Sequence, residues 1–125
     1  MRWKLPLLLI GIACMTMGAA APVRMTPVKI TDGVYMMQHS LGSGNTTVVF
    51  TDDGVLVFDF GIDNADQTLA FIRKTTDKKV KYLITSHSAG DHATGSWHFR
   101  EDKPVWIATK HQVHDLQMQE RKEFD

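Results

Sequence analysis

From Val28 onward the chain alternates short apolar runs with turns: Val28 to Ile30, Gly33 to Met37, Thr46 to Phe50 and Val55 to Phe58. Such short apolar runs, bounded by Gly, Asp and Asn, predict strands. Between the last two stands Thr51-Asp52-Asp53-Gly54. Asp-Gly between two β-branched runs marks a tight hairpin, because glycine supplies the positive φ the turn requires. After Asp59-Phe60-Gly61 the period changes. Ala65, Leu69 and Ile72 share one helical face, which predicts a helix over 64–74, with Asp63 or Asn64 placed to cap its first turn. Val80 to Thr85 is a further strand, Ala93 to Phe99 a short helical segment, and Val105 to Ala108 another strand. Lys110 to Phe124 makes a final amphipathic helix whose apolar face is thin. Hairpins followed by β-α-β-α describe an α+β fold: a mixed, mainly antiparallel sheet with helices on one face.

The first twenty residues stand apart. Arg2 and Lys4 precede an apolar run from Leu5 to Met17, which closes on Gly18-Ala19-Ala20-Ala21. That is the layout of a secretory signal peptide over 1–20, cut after Ala20, with one domain over 21–125. The expected location is periplasmic or secreted, with lipid anchoring at Cys14 as a minor alternative. The apolar run is shorter than the about 20 residues of a membrane span, so none is expected. Cys14 is the single cysteine, so export leaves no disulfide to stabilise the mature chain.

Charge excludes one class of partner. There are 14 basic and 14 acidic residues; removing Arg2 and Lys4 leaves 12 against 14, a net charge of −2. Such a balance does not steer a protein to nucleic acid, and the basic stretch around Arg73-Lys74, Lys78-Lys79 and Lys81 contains Asp77 and reads as a solvated turn.

Chemistry concentrates after the strand ending at Thr85. His87, Asp91 and His92 crowd into Ser86-His87-Ser88-Ala89-Gly90-Asp91-His92. Imidazole and carboxylate suit zinc or a similar divalent ion. In extended backbone, residues 87 and 89 point one way, so they would share one metal, while Asp91 and His92 reach a second. Ala89 offers no donor. Elsewhere His111 and His114 lie on the last helix with Asp115 beside them, compatible with a metal pair or with a solvated helix side. His39 in an early loop and His98 read as surface or packing residues. Trp97 and Trp106 are expected in the core or at an edge, and Gly42-Ser43-Gly44 reads as a flexible loop.

The stretch "ITSHSAGDHATGSW" resembles the first metal motif of the metallo-β-lactamase superfamily, His-x-His-x-Asp-His followed closely by glycine. His87, Asp91, His92 and Gly95 match, and Ala89 replaces the second histidine. "NTTVVFTDDGVLVFDFG" is similar to that family's opening hairpin, ending in Asp59 and Gly61, and "TDKKVKYLITSH" to the strand entering the metal loop. The resemblance, covering roughly 28–116, implies the first half of an αβ/βα sandwich. It also implies two zinc ions in the complete fold and hydrolysis by a metal-bound hydroxide. His87, Asp91 and His92 would be metal ligands, Asp91 would also orient the nucleophile, and Asp59 would support the metal loop from behind. The further ligands belong to a second half, so this chain reads as a fragment or truncated relative whose own sites lack donors. Small-molecule β-lactam, thioester and phosphoester substrates stay open. The alternative is an inactive binding module that completes its sandwich as a homodimer.

Overall fold

The computed structural model describes residues 21–124. The expected signal peptide, with Cys14, lies outside them. Six strands form a single sheet in the order β1-β2-β3-β4-β5-β6. These are β1 (Met25–Thr31), β2 (Val34–His39), β3 (Thr46–Thr51), β4 (Gly54–Phe58), β5 (Val80–Ile84) and β6 (Val105–Ile107). The first four make an antiparallel meander, and β5 and β6 add in parallel. Helix α1 (Ala65–Thr75) provides the crossover from β4 to β5. The single turn α2 (Gly90–Ala93) and a 3-10 segment (Ser96–Asp102) join β5 to β6, and α3 (Lys110–Phe124) follows. This is the α+β arrangement that the polar and apolar pattern predicts.

Alternation within the strands sorts the two faces. Met37, Val48, Val55, Val57 and Leu83 point to one side and are buried there with Ala65 and Ile72 of α1, Phe60, and Phe99 of the 3-10 segment. Phe60 meets Phe99 edge-on at 6.2 Å and Trp106 at 5.6 Å between ring centres, an arrangement that places a ring edge against a π face. Asp102 fastens the far end of this layer: one carboxylate oxygen accepts from the Arg73 guanidinium at 2.6 Å and from the Val80 backbone N–H at 2.7 Å. The opposite face carries Met36, Val49, Leu56, Phe58 and Ile84, all only half-buried.

Local expectations differ from the structure at several points. β1 begins at Met25 because its register with β2 runs from Met25 opposite His39, so pairing extends the strand past its own apolar pattern. Asn64 takes the N-cap position of α1 but makes no side-chain cap. Its amide instead donates to the Gly44 carbonyl at 3.0 Å and its Oδ1 faces the Thr46 hydroxyl at 3.4 Å, tying α1 to the β2–β3 loop. The segment expected over 93–99 divides into α2 and the 3-10 segment. His39 is the last residue of β2, buried, rather than a loop residue. Trp106 sits on the edge strand as expected, whereas Trp97 lies outside the core, half-exposed and stacked on His98.

Helix α3 is fastened by a reciprocal cap. The Thr109 hydroxyl accepts from the Gln112 backbone N–H at 3.2 Å, and the Gln112 side chain accepts from the Thr109 N–H at 2.7 Å, satisfying two free donors at the helix start. The buried Gln112 amide also donates to the Thr85 carbonyl at 3.0 Å, fixing α3 to the end of β5. Among the described residues no helix is long and apolar enough to cross a membrane.

Candidate metal centre

Parallel neighbours β4 and β5 end side by side, and their carboxyl ends carry the chemistry. Asp59 leaves β4 with φ 58°, in the left-handed region that few residues other than glycine, Asn and Asp tolerate. Its N–H donates to the Ile84 carbonyl at 2.9 Å, so the turned backbone aims the carboxylate across the end of β5. There Asp59 Oδ1 accepts from the Ser86 N–H at 2.7 Å and Oδ2 from the Ser86 hydroxyl at 2.8 Å. The Ser86 hydroxyl, having donated to Asp59, accepts from His87 Nδ1 at 2.8 Å. That direction assigns the His87 proton to Nδ1 and leaves Nε2 with a free lone pair.

His92 is treated alike by the same carboxylate. Its Nδ1 stands 3.0 Å from Asp59 Oδ2, an ion-pair separation, although the N–H direction leaves that buried nitrogen without an aligned hydrogen bond. The distance carries more weight than the angle here, because a small ring rotation restores alignment while the carboxylate is already in reach. Asp59 therefore acts on both imidazoles, directly on His92 and through Ser86 on His87, in the way that outlying carboxylates orient metal-bound histidines.

The ligand atoms of His87, Asp91 and His92 all lie within 4.8 Å of one another. Asp91 Oδ2 and His92 Nε2 are 3.4 Å apart, and the imidazole rings of His87 and His92 are 4.1 Å apart at 48°. Two donors bonded at about 2.1 Å to one tetrahedral ion would be separated by about 3.4 Å, so the Asp91–His92 pair has the spacing of ligands on a shared metal. The fold brings His87, expected at one metal position, within reach of Asp91 and His92, expected at a second. Burial works against ionisation of Asp91, but His92 beside it, the Ser43 hydroxyl at 3.2 Å and the backbone N–H groups of Asp91 and Gly44 outweigh it and hold its carboxyl below its ordinary value.

The loop is held by close backbone approach. Phe60 N–H donates to the His92 carbonyl at 2.8 Å and Gly95 N–H to the Phe60 carbonyl at 2.7 Å. The Asp91 carbonyl is wedged against Gly44 on one side and Gly61 on the other; a methyl at either would collide with it. A methyl on Gly44 would also stand 3.3 Å from His92 Nε2, so glycine keeps the approach to that donor open. Two imidazoles and a carboxylate whose ligand atoms lie within 4.8 Å of one another fit a divalent ion.

Ala89 sits at the N-cap of α2 in extended backbone and contributes no donor. His39 is spent elsewhere: its Nδ1 accepts from the Leu41 N–H at 3.2 Å and its Nε2 faces Asp63 at 3.4 Å. His98, His111 and His114 lie outside the cluster. The residues missed by sequence reasoning are Ser43, Gly44 and Ser86. Ser86 was visible as the neighbour of His87, whereas Ser43 and Gly44 gave no local signal beyond a Gly-Ser-Gly loop.

A mixed sheet whose parallel strands end in a His-Asp-His cluster offers a place where a metal ion could be held. The chain belongs to the metallo-beta-lactamase superfamily, whose family model matches residues 39–123. Its fold is similar to that of the metallo-beta-lactamase FIM-1 from Pseudomonas aeruginosa in the mono-zinc form. The two are 20% identical at a TM-score of 0.64, over 77% of this chain and 46% of that one. It is similar also to FEZ-1 metallo-beta-lactamase from Legionella gormanii, at 22% identity and a TM-score of 0.65, over 77% of this chain and 37% of that one. A third similar fold is the inverting sec-alkylsulfatase Pisa1 from Pseudomonas sp., at 18% identity and a TM-score of 0.62, over 74% and 16%. The chain spans less than half the length of each of these proteins. No curated protein matches it.

Proposed function

We propose that this chain is the metal-binding half of an exported metallo-β-lactamase-like hydrolase, holding zinc through His87, Asp91 and His92. The observation that carries the reading is the convergence of those three donors within 4.8 Å, with Ser86 and Asp59 reaching the far nitrogens of the two imidazoles at 2.8 and 3.0 Å. Three protein ligands with an open position is the donor count of catalytic zinc sites. When bound, zinc acidifies a water to a pKa of about 7 and polarises the bond under attack.

The chain's own residues do the rest. Asp91 stays ionised and presents a carboxylate that can hold the attacking water and take its proton. His87, its Nδ1 on the Ser86 hydroxyl, and His92, its Nδ1 beside Asp59, turn Nε2 toward the ion. Export is supported by the layout of residues 1–20. The substrate is a small molecule with a hydrolysable acyl, sulfate or phosphate ester bond, β-lactams included.

Zinc titration of the purified chain, followed by chromogenic lactam, thioester and phosphodiester assays, tests the reading. Binding of about one zinc per chain that disappears in Asp91→Ala supports it. A chain that takes up no zinc, or does so equally well without Asp91, sinks it. Turnover of any of the substrates would show that the second half is dispensable for chemistry.

The outer sheet face favours a second reading, a half-domain that pairs with a second copy. Val105 and Ile107 are exposed there on the edge strand, in line with the half-buried Ile84 and Phe58. Contiguous apolar surface of this kind marks an association site. Sedimentation velocity separates the readings: a concentration-dependent dimer favours pairing, and a monomer at all concentrations rules it out.

A further inference from the structure

Outside the metal loop, the most concentrated set of ligand-type side chains is on the first turns of α3. Asp115 Oδ2 lies 3.5 Å from His111 Nε2 and 3.4 Å from the Ser88 hydroxyl, while Oδ1 lies 3.7 Å from His114 Nδ1. The ion pairs that Asp115 makes among the described residues are with histidines, so no lysine or arginine neutralises it there. We propose that His111 and Asp115 form a second divalent-cation site, and that Ser88 ties it to the metal loop.

Three features favour a cation over a solvated helix side. The spacing is right: 3.5 Å between His111 Nε2 and Asp115 Oδ2 is close to the about 3.4 Å between two donors on one tetrahedral zinc. Residues 111 and 115 are four apart, so the helix stacks them on one face without further ordering. The helix position is itself fixed, since buried Gln112 is hydrogen-bonded to Thr85 at the end of β5. Ser88 and His114 would then hold the carboxylate in place, and the remaining coordination positions would be filled by water, as His111 is open to solvent.

The site is distinct from the His87–Asp91–His92 cluster and does not depend on the hydrolase reading. Ser88 already ties Asp115 to the loop between His87 and Ala89, so a cation on His111 and Asp115 would order the first turns of α3 beside that contact.

Two-bond proton–nitrogen spectra of the full chain resolve each histidine ring and so separate the two sites within one titration with zinc chloride. The expected result is a saturable shift of the His111 Nε2 resonance that vanishes in Asp115→Asn and weakens about tenfold in Ser88→Ala. Both variants alter partly exposed side chains, and an unchanged spectrum of the buried His39 ring confirms that each is folded. A His111 resonance that does not move while those of His87 and His92 do would overturn the proposal, as would a shift that persists in Asp115→Asn.

Discussion

Asp59 Oδ2 stands 3.0 Å from His92 Nδ1 while accepting the Ser86 hydroxyl, so one carboxylate at the end of β4 governs both histidines of the metal loop. Asp59→Asn should keep the fold, because asparagine also tolerates the left-handed backbone found there. It should nonetheless weaken zinc binding by about 10–100-fold, the usual cost of losing an orienting partner. Competition with a chromophoric chelator measures this directly; an unchanged affinity would show that the two imidazoles orient themselves.

Gly44→Ala should be costly out of proportion to its size. The added methyl collides with the Asp91 carbonyl, and backbone cannot yield as a flexible side chain would. A loss of about 1–3 kcal/mol is expected from overpacking of this kind, read as a lower urea midpoint, together with poorer zinc affinity because the methyl also approaches His92 Nε2. Wild-type stability and affinity in the variant would mean the two loops slide freely past each other.

Ala89→His restores the donor that the family pattern places two residues after His87. Residue 89 already has extended backbone that a histidine adopts without strain. Zinc should be held more tightly, or in greater amount, as measured by metal analysis after dialysis. If retention stays at the wild-type level, the side chain of residue 89 does not reach the cluster.

Acid should reveal the state of Asp91. Its folded-state carboxyl titrates below its ordinary value of 3.8, so the stability it contributes is present above that pH and is lost as pH falls through the folded value. In the metal-free chain, carbon-detected NMR of the side-chain carboxyl should place the transition below 3.8, and Ser43→Ala should move it upward. A transition indifferent to Ser43 would assign the depression wholly to His92 and the backbone.

What the sequence displayed of all this depended on how local the cause was. The hairpin at Asp52–Gly54, the amphipathic period of α1 and the histidine stretch are written in adjacent residues, and Asp59 was marked by its place before Phe60-Gly61. Asn64 looked like a cap because its local context is that of a cap, yet a carbonyl twenty residues earlier competes for the side chain and wins. Ser43 and Gly44 belong to the site only because the β2–β3 loop folds against a turn more than forty residues away, a relation no periodicity encodes. Placing Asp91 and His92 with His87 also required the tight turn of α2, which replaces the extended backbone assumed from spacing alone.

Each strand pairs with its neighbour along the chain, from β1 through to β6. Such a sheet has little loop-closure entropy to overcome in the meander, and it can be assembled in the direction of synthesis, each new strand finding its template already made. Asp59 at the end of β4 and the loop that follows β5 are therefore brought together by one neighbouring pairing, so the metal centre needs no contact between distant strands of the sheet.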